Sequence, residues 1–310
     1  MSNKLTVAPA PHIKSLATTS SIMLDVIIAL IPAVIASGIF FGLRAIILIA
    51  VCVGSCVGFE YIYNMIIKKN QTVGDLSAVV TGIILALNLP STLPLAMAIM
   101  GSFVAIVVVK CLFGGIGQNF ANPAIAARVI LLVSFAGPMT NFVGARGVNL
   151  DAIGGATPLG LIAKGNLEAL PSYMDMFIGN IGGSLGETSA LALIIGGIYL
   201  VCRKVITPTI PLAFLGTVFV LSFAFGYDPM YQILSGGVML GAIFMATDYT
   251  TSPPTELGKI IFGIGCGVLT MLIRKFASLP EGVSYAILLM NILCPHIENL
   301  TRNRAFGGAK

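Results

Sequence analysis

Along the chain, long apolar runs alternate with short polar breaks, and the runs fall into two length classes. Runs over about 22–41, 45–67, 93–112, 188–202, 208–225, 257–273 and 283–296 are apolar enough for membrane helices. About 20 such residues cross a hydrocarbon core roughly 30 Å thick. Three other runs, 76–90, 122–135 and 231–246, are apolar but short. The first ends in Asn88-Leu89-Pro90, the second follows GGIGQNFA, and the third runs into TDYTTSPP at 247–254. Breaks of that composition predict interrupted helices, whose freed backbone groups need protein or a wet cavity as partner. The pattern predicts an all-α polytopic membrane protein of about ten transmembrane helices. Residues 1–20 read as a polar N-terminal tail, 21–300 as one membrane domain and 301–310 as a C-terminal tail. Apolarity stops over 137–186, which is rich in Gly, Asn, Pro and Ser and predicts one long loop.

Two stretches echo each other. ALNLPSTLP (86–94) and ATDYTTSPP (246–254) stand 160 residues apart, and each ends a short run with Asn or Asp, then Ser/Thr, then Pro. GGIGQNF (114–120) and GGSLGET (182–188) form a second similar pair. Two related halves with broken helices are a recurrent plan for proteins that pass something through their centre.

Composition removes the soluble alternative. The chain is 57% hydrophobic and 9% charged, with a mean hydropathy of +0.99; a soluble domain carries about 25% charged residues. The net charge of +5 comes from lysines and arginines scattered between apolar runs. They form no basic patch of the kind that binds nucleic acid. With the N-terminus inside, eleven of the seventeen fall on the inner side, Lys110 among them. Arg44, Arg146, Lys164, Arg274 and Lys275 fall outside, and Arg128 lies within a segment. That bias predicts cytoplasmic termini and an external 137–186 loop, with the Arg274-Lys275 pair running against it. The first twenty residues show no cleavable signal peptide. Cys52 and Cys56 share a helix face, but no CxxC pair exists and His12 and His296 are far apart. Apolar lining is the expected role of the six cysteines, with no metal site.

Ionisable groups inside hydrocarbon cost about 2.5–3.5 kcal/mol each on insertion scales, so each needs a reason. Glu60, Arg128, Glu187 and Asp248 are the candidates, with Asp25 near a boundary. One reading is an ion path or a cofactor pocket; the other is opposite charges pairing helices, Arg128 with an acid. Glu187 and Asp248, with Asn88 and Asn122, stand beside Gly-, Thr- or Pro-rich breaks. That placement marks them as candidates for a buried site near mid-membrane.

The 137–186 loop holds DAIGGATPLG at 151–160. Gly154, Gly155 and Ala156 give clearance, and Pro158 biases Thr157 towards an extended backbone. A tight turn in an ordinary loop would also account for this. The stretch resembles D-x-x-[S/T]-G-A-T, the pattern on which flavin transferases attach FMN, at all but one of its fixed positions. Asp151 stands six before Thr157, with Gly155-Ala156 between, and Gly154 stands where Ser or Thr is usual.

The chain resembles the RnfD/NqrB family over roughly residues 10–307. The resemblance is carried by GGIGQNFANPAIAARV (114–129), GSLGETSALALIIGG (183–197), SGGVMLGAIFMATDYTTSP (235–253) and EGVSYAILLMN (281–291). The short N-terminal tail fits the RnfD branch. The resemblance implies a urea-transporter-like fold in a bacterial cytoplasmic membrane. It implies FMN joined to Thr157 through its phosphate, with Asp151, Gly155 and Ala156 as recognition elements. Asn122, Arg128, Glu187 and Asp248 become candidates for a flavin pocket, a second non-covalent flavin included, or for the ion path. It also implies a complex that moves electrons between ferredoxin and NAD and exports sodium or proton. The implied partners are the A, B, C, E and G subunits of that complex, a flavin transferase and membrane lipid. A urea-transporter-like channel or solute carrier without redox role is the alternative.

Overall fold

The computed structural model describes residues 17–145, 157–277 and 281–302. It is helical throughout, with no β-strand among the described residues. Helix α1 (Thr19–Phe41) starts on a capping box, in which Thr18 and Ser21 satisfy each other's backbone N–H. A turn at Gly42 leads into α2 (Leu43–Ile67). The short α3 (Ser77–Leu87) stops at Asn88. Helix α4 (Leu95–Phe103) opens behind Pro94 and continues as a π-helical segment over Val104–Cys111. Helix α5 (Pro123–Ser134) has Asn122 as its N-cap and Pro at its first position, where the missing N–H costs nothing.

Three small helices follow: α6 (Ala136–Thr140), α7 (Pro158–Ala163) and α8 (Tyr173–Ile178). The 137–186 region is therefore partly helical. The chain then runs through α9 (Ala190–Cys202) and α10 (Thr209–Ala224). The expected single piece at 231–246 is split into α11 (Pro229–Leu234), α12 (Val238–Leu240) and a π-helical turn over Gly241–Met245. Gly236, at φ +66, makes the break. Two long helices close the chain, α13 (Glu256–Phe276) and α14 (Val283–Thr301).

Four helices, α1, α2, α13 and α14, are long and apolar enough to cross a membrane by length and composition. At a rise of 1.5 Å per residue, α1 reaches about 35 Å. The shorter apolar helices lie against them: α9 on α1, α3 and α4 on α2, and α10 on α13. Helix α5 packs on α14. Bilayer interiors offer no hydrophobic drive between helices, so close approach through small residues matters. Gly196 of α9 shows it: a methyl group there would lie 2.1 Å from the Ala29 carbonyl oxygen of α1. The outward faces are apolar, with Leu43 and Ile66 each 71% exposed and Phe223 78%. Soluble monomers rarely expose apolar surface on this scale.

Candidate functional site

The helix breaks converge on one buried arginine. Arg128, on α5, is 3% exposed. Its Nη1 donates to Asn88 Oδ1 at 2.8 Å, where α3 stops, and to Ser284 Oγ at 3.0 Å, in the first turn of α14. Its Nη2 donates to Glu187 Oε1 at 2.9 Å and also to Glu281. One guanidinium thus ties together four separate segments, a geometry its planar fork of donors suits. Asn88 in turn donates to the Ile84 carbonyl at 2.7 Å and to Met245 Sδ at 3.2 Å. The end of the first short helix therefore meets the π-helical turn of the third short piece.

Of the residues singled out in the sequence, Asn88, Arg128 and Glu187 come together here. Asn122 stands nearby: its Oδ1 caps α5 through the Ala124 and Ile125 N–H groups, and its Nδ2 donates to the Met245 carbonyl at 3.4 Å. Asp248 does not join them. Its carboxylate accepts from the Thr250 N–H and from the hydroxyls of Thr250 and Thr251 in the turn after the π-helical segment. Glu281 and Ser284 escaped the sequence reading because both sit at the boundary between the last two helices. A buried arginine needing counter-charge was the signal that could have found Glu281.

A second buried pair explains Glu60. Lys110 Nζ donates to Glu60 Oε2 at 2.8 Å and to Ser77 Oγ at 2.6 Å, and Thr72 Oγ1 donates to Glu60 Oε1 at 2.6 Å. Lys110 is 2% exposed, so this lysine, counted among the inner charges, is a buried partner. Arg274 resolves the exception to the charge rule in the same way. Its guanidinium donates to the carbonyls of Gln232, Ser235 and Glu281. It holds α11 and the last inter-helix turn together, and acts as an internal clasp. Cys52 and Cys56 are both fully buried, and no group of His, Cys, Asp and Glu among the described residues could hold a metal ion.

Thr157 is the N-cap of α7, at φ −63 and ψ 160, so it has the extended backbone expected before proline. Its half-buried hydroxyl accepts from the Gly160 N–H at 3.2 Å and donates to no acceptor among the described residues. Asp151, Gly154, Gly155 and Ala156 lie outside the described residues. Two residues beyond Thr157, Leu159 seats α7 on the α11–α12 break. A methyl group at Gly236 would lie 2.6 Å from Leu159 Cδ1 and 3.1 Å from an Arg274 Nη. One at Gly237 would lie 3.1 Å from Glu187 Oε1 and 3.3 Å from Arg128 Nη1. Consecutive glycines thus touch α7 on one side and the arginine network on the other.

An apolar chamber lies at the other end of the bundle, where α1 begins. It encloses about 280 Å³, with Ile22, Val26, Ile84 and Phe244 among its apolar walls. Asn119, Asn122, Lys110 and Asp248 supply polar edges. Asn119 Oδ1 is buried and has no partner among the described residues. Ligand pockets run from about 300 Å³ upward and carry a few placed polar groups in an apolar lining.

The family model described as "NQR2, RnfD, RnfE family" matches residues 6–307. The chain is 49% identical over 308 residues to the D subunit of the Na(+)-translocating ferredoxin:NAD(+) oxidoreductase complex of Acetobacterium woodii, covering 99% of this chain and 96% of that one. It is 39% identical over 320 residues to the D subunit of the proton-translocating ferredoxin:NAD(+) oxidoreductase complex of Clostridium ljungdahlii, covering 98% and 97%. It is 38% identical over 327 residues to the D subunit of the ion-translocating oxidoreductase complex of Stutzerimonas stutzeri, covering 92% and 91%. On a family match and relatives that both run nearly end to end, the chain belongs to the NQR2, RnfD, RnfE family.

Proposed function

We propose that this chain is the membrane D subunit of an ion-translocating ferredoxin:NAD oxidoreductase complex. The observation that carries this is the 49% identity to a protein of that name over 99% of the chain. The names of the relatives favour this reading over a channel without redox role. They name both sodium and proton as the translocated ion, so either ion fits this complex. The chain is not a catalyst alone; it works with the A, B, C, E and G subunits.

Within that role, Thr157 is the acceptor for FMN. A hydroxyl that donates to no acceptor among the described residues, and that follows small residues in sequence, fits an ester linkage. In the loading step the Thr157 oxygen attacks the FMN-side phosphorus of FAD, the P–O–P bond breaks and AMP leaves with the hydroxyl proton transferred to solvent or buffer. Asp151, Gly155 and Ala156 serve the transferase. A bound flavin supplies one- and two-electron redox chemistry. Leu159 anchors α7 on Gly236, and Gly237 brings Glu187 and Arg128 up against the same break. The chamber lined by Asn119 and Asn122 is the place for a second, non-covalent flavin; Asn119 Oδ1, which has no partner among the described residues, would accept a hydrogen bond from it.

The same reading puts both termini in the cytoplasm, the Thr157 region outside, and ten helices in two halves in a bacterial cytoplasmic membrane. In support, α2 gathers α3 and α4 as α10 gathers α11 and α13, while α1 meets α9 and α5 meets α14. A urea-transporter-like arrangement is the fold that goes with it.

The test is ion uptake by inverted membrane vesicles supplied with reduced ferredoxin and NAD. Deleting the chain should abolish uptake, wild type should restore it, and Thr157→Ala should not. Full restoration by Thr157→Ala would remove the flavin from the account. Asp248→Asn should impair ion coupling more than electron transfer; unchanged coupling would reduce Asp248 to a turn cap.

A further inference from the structure

At the end of the bundle where α1 begins, a groove of about 340 Å³ runs between the α9–α10 turn and the start of α13. Its rim carries Lys204 and Lys259, with the hydroxyls of Thr207 and Ser252 between them. Its floor is apolar, built from Val205, Ile206, Ile210 and Pro253. It shares Val205, Ile206, Thr247 and Tyr249 with the apolar chamber, so it forms that chamber's mouth.

The charges around it do not cancel. Arg203 is paired with Asp25 at 3.2 Å, and Lys259 with Glu256 at 2.7 Å. Lys204 has no carboxylate partner among the described residues. It is also held at φ +57, a left-handed backbone that a lysine adopts only at a cost. Nearby, α10 and α13 each expose an apolar side chain in the first turn of the helix, Leu212 at 66% and Leu257 at 59%. An uncompensated cation, the Thr207 hydroxyl and adjoining apolar helix surface together describe a site for a phosphate carrying acyl chains. Basic pockets between membrane helices attract anionic head groups in this way.

We propose that this groove binds the phosphate head group of an anionic phospholipid, with Lys204 as principal contact and Lys259 and Thr207 completing the site. The lipid then closes the mouth of the chamber from the bilayer side. Its binding does not depend on whether a flavin occupies the chamber.

Native mass spectrometry of the full chain in detergent, titrated with phosphatidylglycerol or phosphatidylcholine, tests it. Wild type should retain one phosphatidylglycerol at least about tenfold more tightly than phosphatidylcholine. Each of Lys204→Ala and Lys259→Ala should weaken retention by about fivefold, as expected for one cation near a head group. Lys204→Arg should keep it, and Lys68→Ala, at another basic helix end, should leave it unchanged. Equal retention of the two lipids would overturn the proposal, as would wild-type retention by Lys204→Ala. Equal loss in Lys68→Ala would also overturn it, by showing diffuse attraction only. Displacement of the lipid by millimolar inorganic phosphate would assign the groove to a free anion instead. Lys204→Gln, which keeps the stem, serves if the alanine variant is not monodisperse, and it should show the same weakening.

Discussion

Arg128 is the counter-ion of two acids in a buried setting, so removing it strands both. Breaking a buried pair from one side costs about 3–5 kcal/mol. Arg128→Met should therefore lower the melting temperature in detergent sharply, and Arg128→Met combined with Glu187→Leu should recover part of the loss. Equal stability of single and double variants would show that Glu187 does not answer Arg128. Arg128→Lys should be intermediate, since an ammonium cannot reproduce the fork that reaches Asn88, Glu187 and Glu281 together. Arg128 and Glu187 were legible as costly groups in apolar sequence. Their pairing was not, because 59 residues separate them and nothing local links an α5 side chain to the turn before α9.

At the level of elements, packing rests on backbone contact through small residues. Gly196 is the clearest instance, and Gly196→Val should drive α1 and α9 apart. Overpacking costs about 1–3 kcal/mol, read as a lower melting temperature; an unchanged midpoint would mean the two helices are not tightly joined. Hydropathy placed the long helices within a few residues because period and length are local properties. It drew 231–246 as one piece because Gly236 only permits the break, and Arg274 holds it from outside by taking carbonyls that α11 would otherwise use. It drew 137–186 as one loop because α6, α7 and α8 are short and take their stability from what they cover. Gly237→Leu tests the junction: the side chain would enter the Arg128–Glu187 contact. Covalent flavin should then still load on Thr157 while electron transfer falls at least about tenfold, the scale on which small misplacements act.

For the whole molecule, sidedness is the testable property. A reporter fused after Lys310 should read cytoplasmic and one inserted within 140–180 external; the opposite pair of readings would invert the topology. The charge rule that predicts this counted Lys110 and Arg274, both of which prove to be internal partners. One comes off each side of the tally, so the bias survives. The two sites also stand apart, α7 behind Thr157 seated near Arg274 at the end of α13 and the apolar chamber where α1 begins. The proposed flavin acceptor, Thr157, is therefore the point at which the electron-carrying role is best tested. The most direct test is to co-express the chain with an active flavin transferase and examine the denatured protein on a gel under ultraviolet light. The account predicts a fluorescent band that disappears in Thr157→Ala and persists in Thr157→Ser. A dark wild-type band, with the transferase active on another substrate, would contradict it.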